Sequence, residues 1–130
     1  EQEPCDIYIA SMGEQAQREA FRLTQEIREE GFSAECDIVG RSVKAQMKYA
    51  DKIGARFSMV LGDSELESGK AALKNMSTGE QQEVELKNLL NRMYDIRFSS
   101  AIDQIADLSD FGGVDAASLL GKLGGGNEEK

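Results

Sequence analysis

The sequence predicts an α/β domain: a mixed five-stranded sheet packed by three helices. Three observations predict it. Between Cys5 and Leu61, short strand-like runs alternate with runs of helical period, the order expected of parallel strands joined by right-handed crossovers. Two short strand-like runs then flank Met76-Ser-Thr-Gly79, which reads as a hairpin turn. After the hairpin, Leu86, Leu89, Leu90 and Met93 recur at helical spacing.

The elements follow in order. Cys5–Ala10 is a strand with Ile7 and Ile9 alternating. Ser11-Met-Gly-Glu14 has the spacing of a capping box, in which Ser11 takes an orphan amide and Glu14 reaches back to the cap. From Glu14 to Glu30, Ala16, Ala20, Leu23 and Ile27 form one helical face, and Gly31 stands where a helix stop belongs. Phe32–Val39 reads as the second strand. Ser42 is placed to cap a second helix that runs to about Ile53, and Gly54 ends it. Arg56–Leu61 is a nearly continuous apolar run, which suits a strand covered on both faces. Lys70–Asn75 and Glu80–Leu86 are the hairpin strands, and the third helix follows. Beyond Ile96, Ile102, Ile105 and Leu108 suggest a short amphipathic helix and Ala116–Leu123 another, while Gly124–Lys130 reads as a flexible end. The domain is therefore expected at 1–96 and a C-terminal extension at 97–130.

No apolar run approaches the roughly 20 residues that cross a membrane. Glu1-Gln2-Glu3-Pro4 is neither a basic leader nor an apolar stretch, and a start without Met is expected of a fragment or a processed piece. Cys5 and Cys36 can form a redox pair or stand as two small buried hydrophobes in a reducing cytosol; no Cys-x-x-Cys spacing favours the first.

The missing chemistry is informative. The chain has no histidine, which removes the commonest general base, the commonest metal ligand and every Ser–His or Cys–His arrangement. Gly62–Lys70 fails as a phosphate loop, because the glycine spacing is wrong and Ala71 follows Lys70. The expectation is a binding module without a catalytic site or metal site of its own.

A net charge of −9 argues at first against nucleic acid. Its distribution reverses that argument. Between Gly40 and Leu61 stand Arg41, Lys44, Lys48, Lys52 and Arg56 against Asp51 alone, a window of +4 (five minus one). Arg41, Lys44, Lys48 and Lys52 are spaced by three, four and four, one stripe of a helix, with Val43, Met47, Ala50 and Gly54 roughly opposite. The start of that helix adds oriented amides near Ser42. It also lies beyond the carboxyl ends of the first two strands, where parallel sheets bind ligands. Cations and oriented amides in such a place are what an RNA backbone needs. An ordinary solvated helix face is the plainer reading of the stripe alone.

The block Gly40–Phe57, Gly-Arg-Ser-Val-Lys-Ala-Gln-Met-Lys-Tyr-Ala-Asp-Lys-Ile-Gly-Ala-Arg-Phe, resembles the signature of the anticodon-binding domain of bacterial-type histidyl-tRNA synthetase. Met12-Gly-Glu-x-Ala16, Glu35-Cys-Asp37, Leu61-Gly-Asp-Ser-Glu-Leu66 and Lys74-Asn-Met-Ser-Thr-Gly-Glu-Gln81 are similar to the family in the flanking positions, so the resemblance covers Cys5 to Met93. The threonyl, prolyl and glycyl relatives of class IIa share the architecture but not Arg-Ser-x-Lys-x-Gln-x-Lys-Tyr-Ala-Asp-Lys. The resemblance implies the same fold and a role in recognising the anticodon of the histidine tRNA. It implies a homodimeric, cytoplasmic parent ligase whose ATP and Mg²⁺ belong to a catalytic domain absent from this chain. The continuation from Asp95 to Lys130 departs from the family pattern and is either an appendage or a docking segment.

The residues expected to meet RNA are Arg41, Lys44, Gln46, Lys48, Met12, Gly13, Glu14 and Ser42. Arg41 suits bidentate contact with a base edge and Lys44 a phosphate. Gln46 can read a base with its amide or simply contact the sheet, and Lys48 extends the electrostatic track. Met12, Gly13 and Glu14 border the same cleft, where Gly13 permits close backbone approach and Glu14 either accepts from base amino groups or caps the helix. Tyr49 either stacks a base or packs at the sheet edge, and Asp37 is placed to orient Arg41. A regulatory paralogue and a protein-interaction module that uses the acidic first helix are the other classes consistent with the fold.

Overall fold

The computed structural model describes residues 5–112. The elements are β1 (Ile7–Ser11), α1 (Glu14–Glu29), β2 (Ala34–Cys36), α2 (Val43–Lys52), β3 (Phe57–Leu61), α3 (Asp63–Ser68), β4 (Lys70–Asn75), β5 (Gln81–Glu85), a 3₁₀ turn at Leu86–Asn88 and α4 (Leu89–Gly112). The five strands form one mixed sheet in the order β2-β1-β3-β4-β5. β1 pairs in parallel with β2 and β3, and β4 and β5 complete the sheet antiparallel. The expected sheet is the observed one.

β1 is the middle of the parallel part and is buried along its whole length. Its side chains alternate between two layers. Tyr8 and Ala10 join Cys5, Ala50 and Ala55 in one buried cluster, against which Met47, Ile53, Val60 and Met76 pack. Ile7 and Ile9 point the other way, toward the face that α1 covers with Ala16, Ala20, Leu23 and Ile27. β1 leads through α1 to β2 on one side, and β2 leads back through α2 to β3 on the other. Right-handed crossovers in opposite directions place the two helices on opposite faces of the sheet. The loops that leave β1 and β2 therefore diverge, and a crevice opens between them.

Four local expectations are corrected. Ser11 is not a helix cap: it is the last residue of β1, paired with Leu61, and α1 begins after Gly13 with no side-chain cap. Strand pairing runs further along β1 than the alternation of Ile7 and Ile9 suggests, and it removes Ser11 from the cap position. The second strand is short, Ala34–Cys36, and Ile38 and Val39 lie beyond it in the loop, 70% and 73% exposed. Asp63–Ser68, read as part of a failed phosphate loop, is a short helix whose first turn is closed by Glu65 Oε1 accepting from the Gly62 amide at 2.9 Å. It has only Leu66 as an apolar residue, so it displays no period to read.

The fourth correction concerns α4. Internal contacts divide the chain after Leu90. From Leu89 one helix continues to Gly112, where separate segments near Met93 and at Ile102–Leu108 were expected. No glycine or proline interrupts 89–111, so nothing in the backbone breaks the helix. Ala116–Leu123 and the glycine-rich end lie outside the described residues.

Both cysteines are free. Cys5 is buried, donates to the Ile7 carbonyl at 3.1 Å, and has its pKa pushed up to about 11 by burial. Burial raises the Cys36 pKa as well. Protonated thiols of this kind are poor nucleophiles at neutral pH. Among the described residues, no helix is long and apolar enough to cross a membrane, and no group of three or more His, Cys, Asp or Glu could hold a metal ion.

Candidate functional site

The crevice at the carboxyl end of β1 is an open cleft of about 510 Å³, lined by Ser11, Met12, Gly13, Glu14, Gln17, Gly40, Arg41, Ser42 and Val43. One wall is the β1–α1 loop and the other the β2–α2 loop. Each wall turns on a glycine in the left-handed region, Gly13 at φ 101° and Gly40 at φ 92°. A side chain at either position is strained, although the space beyond each glycine is open.

Arg41 is held on three sides. Its Nε donates to Asp37 Oδ1 at 2.8 Å, and its backbone amide donates to Asp37 Oδ2 at 2.9 Å. Its guanidinium carbon lies 5.2 Å from the centre of the Tyr49 ring. Asp37 also accepts from the Gly40 amide at 2.7 Å, so one carboxylate organises the whole turn into α2. The Asp37 side chain is fully buried while Arg41 is 41% exposed. Burial alone would raise the Asp37 pKa, but the bonds from the Arg41 side chain and from the Arg41 and Gly40 amides outweigh it and hold the carboxyl below its usual range. Only Nε of Arg41 is engaged by Asp37, and the terminal amino groups have no hydrogen-bond partner among the described residues. That geometry suits bidentate recognition by those amino groups.

Tyr49 is supported from below. Tyr8 meets it edge-on, ring centres 6.0 Å apart at 65°. The Tyr8 ring is fully buried, its hydroxyl has no hydrogen-bond partner among the described residues, and burial, with the nearby Asp37 charge, pushes its pKa up to about 12. Tyr49, half-exposed, carries Arg41 on its ring.

Ser42 caps α2 as expected, accepting from the Ala45 amide at 3.1 Å. Lys44, Lys48 and Lys52 are exposed along α2 and span about 12 Å at the helical rise. None of them forms an ion pair among the described residues. The stripe therefore starts at the cleft and runs away from it.

The structure brings Met12, Gly13, Glu14, Arg41 and Ser42 together in the cleft, and sets Lys44 and Lys48 on the helix surface that leads to it. It does not bring Gln46 into the lining of the cleft. Gln46 is fully buried with its amide committed to protein groups: Oε1 accepts from the Ser11 amide at 2.9 Å, and Nε2 donates to the Ser11 and Arg41 carbonyls at 2.8 and 2.7 Å. The expected base contact through its amide is corrected on that ground. Glu14 is exposed at the rim and sits 3.6 Å from Arg18 rather than capping α1.

Gln17 was missed; it lines the cleft and reaches the Asp37 carbonyl at 3.5 Å. Ile38 and Val39 were missed as loop residues, because an apolar pair after a strand reads as more strand. With Met12, 59% exposed, they put apolar side chains on both loops that form the cleft.

A model of the anticodon binding domain family matches residues 6–95. The chain belongs to that family. Among the relatives of this anticodon binding domain, the histidine–tRNA ligase of Acetivibrio thermocellus is 57% identical over 88 residues, 68% of the chain and 21% of the ligase. That of Halothermothrix orenii is 53% identical over 88 residues, with the same 68% and 21% coverage. The solved apo histidyl-tRNA synthetase of S. aureus superposes with a TM-score of 0.68 at 44% identity, covering 70% of the chain and 27% of the synthetase. The RNA binding domain of threonyl-tRNA synthetase from Cryptosporidium parvum shares the fold alone, with a TM-score of 0.63 at 18% identity over 71% of the chain and 23% of that domain's chain. The chain spans about a fifth of the length of the curated relatives it matches.

Proposed function

We propose that this anticodon binding domain recognises the anticodon loop of the histidine tRNA as part of a histidine–tRNA ligase. The observation that carries the reading is a row of lysines, Lys44, Lys48 and Lys52, that forms no ion pair among the described residues of an otherwise acidic chain, and that begins at a cleft holding a braced arginine whose terminal amino groups have no hydrogen-bond partner among those residues. In this reading Arg41 contacts a base edge, and Lys44 and Lys48 meet phosphates along the incoming strand. Ser42 and the first-turn amides of α2 offer close contacts at the helix start. Gly13 lets the backbone approach, Met12 supplies an apolar surface for an unstacked base, and Glu14 disfavours phosphate at the rim while accepting from base amino groups. Residues 1–96 form the domain and 97–130 an extension.

The ligase activity, its ATP and Mg²⁺, its homodimeric state and its cytoplasmic setting belong to the parent in the same reading. ATP and the metal would act in the catalytic domain, and no step of that chemistry involves the residues of the cleft.

The test is a titration of the chain with a histidine tRNA transcript beside one with a swapped anticodon, at two salt concentrations. Tighter binding of the native anticodon is expected, with a salt dependence common to both transcripts. Equal binding to both would reduce the domain to a generic RNA binder, and absence of binding to either would overturn the RNA reading.

A further inference from the structure

The two walls of the cleft belong to loops that leave the sheet in opposite directions, and one side chain ties them together. Gln46 stands on the second turn of α2, fully buried. Its amide satisfies both backbone groups of Ser11, accepting from N–H at 2.9 Å and donating to C=O at 2.8 Å. The other amide hydrogen goes to the Arg41 carbonyl at 2.7 Å. Ser11 is followed directly by Met12, Gly13 and Glu14, and Arg41 by Ser42. One carboxamide therefore fixes the backbone from which both walls depart.

No other uncharged side chain of this length offers one acceptor and two donors in that arrangement. A carboxylate keeps the bond from Ser11 N–H but faces the Ser11 and Arg41 carbonyls with repulsion. A thioether takes their partner from the two buried Ser11 groups and from the part-buried Arg41 carbonyl. Asp37 braces the Arg41 side chain and amide, and Ser42 caps α2, so the helix start has supports that do not pass through Gln46.

We propose that Gln46 is a positioning residue for anticodon recognition. It sets the separation of the two walls and the backbone register of Arg41 against Met12–Glu14, and it does so without touching RNA. The inference rests on the anticodon reading above. It has a distinct signature, because geometry of the walls governs the choice between anticodons, whereas exposed lysines govern affinity for any RNA.

The experiment uses the whole 130-residue chain with Gln46→Met and Gln46→Glu. The probes are the histidine tRNA transcript and its anticodon-swapped counterpart, and the quantity read is the ratio of their dissociation constants. A fold defect that lowers the active fraction weakens both transcripts alike and leaves this ratio in place. Both variants are expected to cut the preference about 10-fold, an effect of the size that a base contact carries. The loss falls on the native transcript, with the swapped transcript's affinity and salt slope unchanged. Folded variants that keep the wild-type ratio overturn the proposal. Wild-type protein that binds both transcripts equally overturns the anticodon reading itself. Should Gln46→Met not fold, amide spectra of Gln46→Glu decide: altered shifts and faster hydrogen exchange at Ser11–Gly13 and Arg41–Ser42 support the strut, and unchanged signals there overturn it.

Discussion

Helices α1 and α2 cover opposite faces of one sheet and carry their cations in opposite ways. On α1, Arg18 lies 3.6 Å from Glu14, Arg22 lies 2.7 Å from Glu19 and 3.4 Å from Glu26, and Arg28 lies 3.4 Å from Glu35 on β2. On α2, Lys44, Lys48 and Lys52 follow one another every four residues, and the acid between them, Asp51, makes no ion pair with them. Exposed pairs such as those of α1 add little stability, about 0–1 kcal/mol each. Their larger effect is to cancel the field outside the helix. The α2 stripe keeps its field, and that field points away from a chain whose net charge is −9. A protein can thus be acidic overall and still offer a phosphate track. What matters is whether each cation is paired with an acid.

The largest effect is expected from giving α2 the arrangement of α1. Lys48→Glu places a carboxylate four residues from both Lys44 and Lys52, so it removes one cation and partners two others. Binding to native and swapped transcripts alike should weaken roughly 100-fold at low salt, and the salt slope should flatten by about two units. A loss confined to the native anticodon would mean that the stripe reads sequence, and would break the division between the two helix faces.

Arg41→Ala comes next. It should cost about 1–3 kcal/mol of anticodon discrimination while leaving the swapped transcript nearly unaffected. Sequence-blind losses in the same titration would remove Arg41 from base reading and return it to the stripe.

Asp37→Asn acts through stability, because Asp37 is the acid bonded to the start of α2. Its carboxylate is buried under three donors, and replacing it should destabilise the fold by about 1–3 kcal/mol at neutral pH. The sign with pH follows from its lowered native pKa. The stabilisation is fully present above the unfolded value of about 4 and is lost as pH falls through the lower native value. Denaturation of wild type and Asp37→Asn across pH 2–7 should show the two curves converging only at the acid end. A constant gap down to the lowest pH would deny the ionised carboxylate its role.

The smallest effect belongs to α1. Arg22→Ala should change stability by roughly 0.5 kcal/mol or less, and by the same reasoning it should leave the salt slope of RNA binding unmoved. A flattened slope would show that the arginines of α1 also meet phosphate.

Much of this site was legible because its signals are local. Ser42 three residues before Ala45 is a cap by spacing alone, and Asp37 four residues before Arg41 places an acid beside a base in one turn. The stripe of Arg41, Lys44, Lys48 and Lys52 follows from the helical period. Of the two roles open to Gln46, the sheet contact is the one the structure shows, and the sequence could not choose it because the period of α2 is carried by apolar residues and a polar residue on the inner face breaks that pattern. Nothing in the local sequence states that a carboxamide at this position has backbone groups to satisfy 35 residues earlier in the chain. Ser11 failed for the same reason, since its pairing with Leu61 outweighs the capping spacing to Glu14.

The order of the five strands and the three longer helices, the helix faces, the basic stripe and the family block from Gly40 to Phe57 were legible in the chain alone, because periodicity, capping and charge spacing act within a few turns of chain. Which backbone groups face one another across β1 and α2 follows from tertiary packing. It buried Gln46 between Ser11 and Arg41, left Ile38 and Val39 outside the sheet, and opened the cleft where the two loops part. Those outcomes depend on hydrogen bonds between residues distant in sequence, and a buried polar group must find its partner wherever the fold brings one.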